Sequence, residues 1–146
     1  MATFNAADLN TRNRHMGGYG NTVVVYGSVT PATGALVDVY RPVRIPAGVR
    51  VTDLDIVNDD LDTGGTAFAA KVGYEPVNSA EGPVADDDYF SAASTFLSAA
   101  GRKACAFQPI KFEKDVFVIL TVTVAATTFA SGAITAIVKG DGEGVK

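Results

Sequence analysis

The sequence predicts an all-β fold, a two-sheet sandwich of jelly-roll or Greek-key type with one short helix and an extended N-terminal arm. Three observations predict it. Short runs of β-branched and apolar residues recur from Thr22 to Lys139. Each run is bounded by Gly, Pro, Asn or Asp, the residues that close turns. No apolar period of 3.6 residues is sustained anywhere, and many short strands with almost no helix make a sandwich or barrel. The 146 residues, 47% of them hydrophobic, are enough for one domain with its own core.

The elements follow in order. Residues 1–21 are a compositional zone of their own. Asn5, Asn10, Asn13, Gly17, Gly18 and Gly20 stand among Arg12, Arg14 and His15, with Phe4, Leu9, Met16 and Tyr19 scattered between them. Such a segment buries too little surface alone to offset its chain entropy, so it is either a loose tail or an arm that orders against a partner. The sandwich domain is expected over 22–139. Thr22 to Val29 is β-branched and apolar, and Thr30-Pro31-Ala32-Thr33-Gly34 is a turn cluster. Leu36 to Val43 alternates with period two, and Ile45-Pro46-Ala47-Gly48 is a tight turn, Pro fixing one dihedral and Gly allowing another. Val49 to Val57 is a strand whose apolar phase slips between Val51 and Leu54, which predicts a bulge or twist near Asp53.

Asn58 to Gly65 reads as a loop, Thr66 to Glu75 as a strand, and Pro76 to Pro83 as turns. Asp86-Asp87-Asp88 before Tyr89-Phe90 resembles the acidic first turn of a helix, so the short helix is expected at about 86–92. Phe96 to Ala99 and Ala104 to Pro109 are weaker strands. Asp115 to Val124 is the strongest, with Val116, Val118, Leu120, Val122 and Val124 on one face and Phe117, Ile119, Thr121 and Thr123 on the other. Ala133 to Lys139 is the last strand, and residues 140–146 are expected to be a flexible tail.

Charge and composition narrow the function classes. The formal net charge is −4, without the basic footprint of a nucleic-acid binder. Charged residues are only 19% of the chain, a first sign that part of its surface is covered by partners. The lone cysteine, Cys105, excludes an internal disulfide. The N-terminus has neither a basic start nor an apolar run, which reads as a protein made in a cytoplasm. Residues 116–138 carry no charge, but their threonines and Ser131-Gly132 favour two strands and a turn over a membrane-spanning helix.

The inventory for catalysis is nearly empty. A nucleophile needs a base and an orienting group held rigidly. The only histidine, His15, sits in the arm, and Cys105 has no histidine beside it in any strand. Gly18-Tyr19-Gly20 precedes a strand and lacks the third glycine of a phosphate loop. Asp53, Asp55, Asp59, Asp60 and Asp62 do not match the spacing of a calcium loop, because Asn58 stands where its glycine belongs. They read as a solvated loop. No catalytic residue, metal ligand or cofactor is assigned, and the plan is that of a binding or structural module.

Several segments share a pattern. Tyr19-Gly20-Asn21-Thr22-Val23-Val24-Val25 is one. Ile45-Pro46-Ala47-Gly48-Val49-Arg50-Val51, Asn58-Asp59-Asp60-Leu61-Asp62-Thr63, Val72-Gly73-Tyr74 and Asp87-Asp88-Tyr89-Phe90 with Ala92-Ala93-Ser94-Thr95 are the others. In their order and spacing, over roughly residues 19–138, they resemble the capsid cement or decoration proteins of tailed bacteriophages. The resemblance implies a structural virion protein, not an enzyme. It implies a seat on the outer capsid surface, with the major capsid protein and further copies of itself, as homodimer or homotrimer, for partners. Neither nucleic acid nor membrane is among them. In that setting Phe4, Leu9, Arg12, Arg14 and Tyr19 are the expected contacts, the apolar ones filling pockets and the arginines pairing with carboxylates. The alternative is a carbohydrate- or receptor-binding sandwich of a phage fibre or tail.

Overall fold

The structure, a computed structural model, describes residues 1–7, 9 and 21–146. The strands are β1 (Thr3–Asn5), β2 (Thr22–Val29), β3 (Val39–Ile45), β4 (Val49–Asn58), β5 (Ala69–Pro76), β6 (Asp86–Ser94), β7 (Gly101–Ala104), β8 (Ile110–Lys111), β9 (Val116–Val124) and β10 (Ile134–Gly142). They form a two-sheet sandwich, as the sequence predicts. The first sheet runs β1-β3-β9-β5-β6, and the second runs β2-β10-β4-β7 with β8 also paired to β4. Every pairing is antiparallel except that of β1 with β3.

Period-two burial builds the core. In β2 exposed and buried residues alternate without a break, Val23, Val25 and Val29 facing in. Val51, Leu54, Ile56, Ile134, Ala136 and Val138 continue that inner face. Tyr40, Val43, Ile45, Val72, Val116, Val118 and Leu120 answer it from the first sheet. The phase slip in β4 is a bulge. Lys139 pairs with Asp53 and Gly140 with Val51, which leaves Thr52 as the extra residue. A second bulge lies at Arg41-Pro42, between the Tyr40–Leu120 and Val43–Val118 pairs. Proline has no N–H for a ladder, so the irregularity falls where it costs least. The turn after β3 is built as expected, with Gly48 at φ +84°. The charge-free stretch 116–138 folds as β9, a loop and the first half of β10.

Five expectations are corrected, one of them that Ala104 to Pro109 is a strand, since β7 ends at Ala104 and β8 begins at Ile110. Residues 86–92 are not a helix but most of β6, paired with β5 through Val72–Ser91 and Tyr74–Asp86. Phe90 is fully buried and lies edge-on to Tyr74 and Phe107, with ring centroids 6.1 and 4.8 Å apart. Burying that aromatic against the sheet outweighs the weak capping signal of the acids. Phe96–Ser98 is a single 3-10 turn, not a strand, and Leu97 plugs the core beneath it. The last strand runs past Lys139 to Gly142, and the amides of Glu143 and Gly144 both donate to the Gly48 carbonyl, so the first residues of the expected tail are tied down. At the other end Thr3–Asn5 is a strand of the first sheet, so the beginning of the expected arm belongs to the sandwich.

Candidate interaction surfaces

The N-terminal segment is rooted by a buried carboxylate. Asp38, 1% exposed, accepts hydrogen bonds from the Ala2 amide (2.8 Å), the Thr33 hydroxyl (2.7 Å) and the Ala35 amide (3.1 Å). Burial by itself would raise its pKa. The hydrogen bonds from Thr33, Ala2 and Ala35 and the nearby terminal amine outweigh that and hold the carboxyl below its ordinary range. The same turn strains the backbone, for Val37 stands at φ +63°. From Asp38 the chain enters β3, where the Val39 amide donates to the Ala2 carbonyl and the Ala6 amide to the Arg41 carbonyl. Phe4 lies over Tyr40 with ring centroids 5.8 Å apart.

Of the five expected contacts, two fall within the described residues. Phe4 is partly buried against the core, and Leu9, 5% exposed, lies in it. Both are used inside the molecule's own fold. Arg12, Arg14 and Tyr19 lie outside the described residues, as does His15.

The acidic loop after β4 is only partly solvated: Asp59 and Asp60 are exposed, while Asp62 is buried. Asp62, 2% exposed, accepts from the amides of Thr128 (2.8 Å) and Thr127 (3.1 Å). Those bonds, the Thr128 amide foremost, lower its pKa against the opposing effect of burial. Asp59 accepts from the Ala133 amide at 2.7 Å, and Asp60 from the Asp62 amide at 3.1 Å. These carboxylates bracket the loop between β9 and β10. Side chains that look like spare ligands are satisfied by backbone N–H groups.

The outward face of the second sheet carries a ladder of charge beside an apolar strip. Lys139 bridges Asp53 (2.8 Å) and Asp55 (3.5 Å), and Arg102 pairs with Asp55 from the next strand. The Arg102 hydrogen bond is the main reason that the buried Asp55 stays ionised well below the usual carboxylate range. Next to this ladder stand Val24, 55% exposed, and Tyr26, 64% exposed, with Ile137 beside Tyr26 on β10.

Among the described residues, Cys105 is half-buried and two of the three clustered carboxylates at the start of β6 have partners. Burial pushes the Cys105 thiol up to about 11, far from a nucleophile's range. The carboxylates of Asp86, Asp87 and Asp88 lie within 4.8 Å of one another. Asp87, however, is paired with Lys71 at 3.2 Å, and Asp86 accepts from the Asp88 amide at 3.4 Å. Sequence reasoning missed Asp38, whose signal was a lone acid in an otherwise apolar strand entrance.

No protein-family model matches this chain, and no curated protein matches it. Solved structures do. A chain in the capsid of Ralstonia phage GP4 superposes with a TM-score of 0.79 at 19% identity, over 99% of this chain and 100% of that one. The fold is one found in phage capsids. A chain of the Cyanophage Pam1 capsid asymmetric unit gives a TM-score of 0.65 at 21% identity, over 93% of this chain and 95% of that one. A chain of the acid-stable capsid of Helicobacter pylori bacteriophage KHP30 gives 0.58 at 12% identity, over 84% and 90%. At these identities the likeness is one of fold.

Proposed function

We propose that this protein is a structural component of a phage head, seated on the outer surface of the shell, where it cements neighbouring major capsid protein subunits. The observation that carries the reading is the end-to-end fold match to a chain in the Ralstonia phage GP4 capsid, which covers 99% of this chain and all of that one. A stiff sandwich with a long polar connection suits a clamp. Residues 10–20 link a rooted strand to β2, and a segment that orders on a partner buries surface that a globule cannot reach. In this reading Phe4 and Leu9 hold the root of that connection, while Arg12, Arg14 and Tyr19 meet the shell. The protein acts as a homodimer or homotrimer, and many weak copies add by multivalency.

The test is co-sedimentation of purified protein with heads that lack it. The wild type should saturate the heads, and Arg12→Glu/Arg14→Glu should lose most binding while keeping its thermal midpoint. Unimpaired binding by the variant would remove the arginines from the interface. No binding by the wild type to any head would remove the capsid role, and glycan binding instead would favour a receptor-binding module.

A further inference from the structure

The second sheet ends in an unusual edge. Sandwich proteins blunt their free edges with short strands, charges or bulges, because an open edge pairs with other chains. Three of the sheet ends here follow that rule. β1 has only 3 residues. β6 opens on Asp86-Asp87-Asp88 and is bulged against β5. The β7 and β8 side offers strands of 4 and 2 residues, with Arg102, Lys103 and Lys111 on them. β2 does none of this. It has 8 residues, pairs with β10 without a register shift, and has no charged residue from Thr22 to Val37. Among the described residues its backbone pairs with β10 alone. Its outward side chains include Val24 and Tyr26, both more than half exposed.

We infer that β2 is a self-pairing edge, by which two copies of this chain join antiparallel across a two-fold axis into one continuous sheet. The sequence of β2 is self-complementary in that arrangement. Residues directly opposite in an antiparallel pair share a face. With Val25 on the axis, Val24 of each copy faces Tyr26 of the other, a β-branched–aromatic pair of the kind that stabilises sheets. Thr22 then faces Ser28, and Val23 faces Gly27 on the inner side. No charge meets a like charge, although each chain carries a formal −4. That neutrality singles out a second copy: two acidic chains approach with least repulsion along the strand that has no charge. The inference rests on the homo-oligomer part of the reading above and specifies where the contact is made.

Sedimentation velocity on the full chain, with no capsid present, tests it. The wild type should sediment as a dimer across the micromolar range. Val24→Lys and Tyr26→Lys, both at exposed positions, should sediment as monomers with unchanged thermal midpoints. Thr52→Lys, exposed on β4, should remain dimeric. Hydrogen exchange should show the β2 amides that point away from β10 protected in the wild type and unprotected in Val24→Lys. A wild type that is oligomeric but indifferent to both lysines, with those amides exchanging freely, would overturn the β2 contact and leave self-association standing. A wild type monomeric at every concentration would overturn both, while head binding is judged separately by co-sedimentation.

Discussion

Replacing Asp38 by alanine is the sharpest perturbation of the N-terminal root. The carboxylate takes three donors, from Ala2, Thr33 and Ala35. A hydrogen bond to a charged group contributes about 1.5–3 kcal/mol, and a buried donor left alone costs about 1–3 kcal/mol. The Thr33 hydroxyl can rotate to another acceptor, and Ala2 can reach water if β1 lifts from β3. The net loss for Asp38→Ala is therefore about 2–4 kcal/mol, less than the sum of three bonds. For a chain of this size that lowers the thermal midpoint by about 4–16 °C. Asp38→Asn keeps one acceptor oxygen and should fall between. The pH dependence has a definite sign. The folded pKa is below the unfolded one, so the contribution is complete above the ordinary carboxylate value, about 3.9. It is lost as pH falls through the lower, folded value. Urea denaturation at pH 7 and near pH 3 should therefore show the wild type losing more stability on acidification than Asp38→Asn. An Asp38→Ala protein within about 0.5 kcal/mol of wild type at pH 7 would refute the reasoning, since that is the range of a neutral surface change.

Four further outcomes are expected. Gly140→Ala puts a Cβ against the Arg50 carbonyl and should cost about 1–3 kcal/mol by urea denaturation, whereas Gly101→Ala meets nothing within 4 Å and should be neutral or slightly stabilising. Val37→Gly relieves the positive φ at an exposed position and should raise stability by about 0.5–1 kcal/mol in the same assay. Leu9→Ala should cost about 2–3 kcal/mol in that assay, because the residue lies in the core. Cys105, with its thiol near 11, should react with iodoacetamide at pH 8 roughly a hundredfold more slowly in the folded protein than in urea.

The strands were legible where side-chain period and packing agree. β2 alternates without a break, and the slip between Val51 and Leu54 marks the stretch, expected as a bulge or twist near Asp53, in which the Thr52 bulge falls. β6 was misread because three acids before an aromatic pair carry the same local signal at a helix start and at a charged edge strand. Only the fit of Phe90 among Tyr74 and Phe107 decides between them. The acids at 59–62 were read as solvated because their partners, the amides of Thr127, Thr128 and Ala133, lie some seventy positions away in the chain. β1 was invisible for a different reason. A strand of 3 residues has no period, and its pairing depends on Asp38. For the candidate contacts, sequence picked out Phe4 and Leu9 as apolar residues but gave no means of telling that both are used within the fold.

The position of β10 has a consequence for how the molecule is made. It lies between β2 and β4 in the second sheet, yet it follows every other described strand in sequence. The half of the sandwich that contains β2 therefore stays unzipped during synthesis until residues 134–142 have left the ribosome, because among the described residues β2 has no other hydrogen-bonded neighbour. A nascent chain cannot present a paired β2 before those residues emerge. Losing the closing strand to early termination would strand β2 altogether and leave an aggregating fragment in place of a weaker subunit.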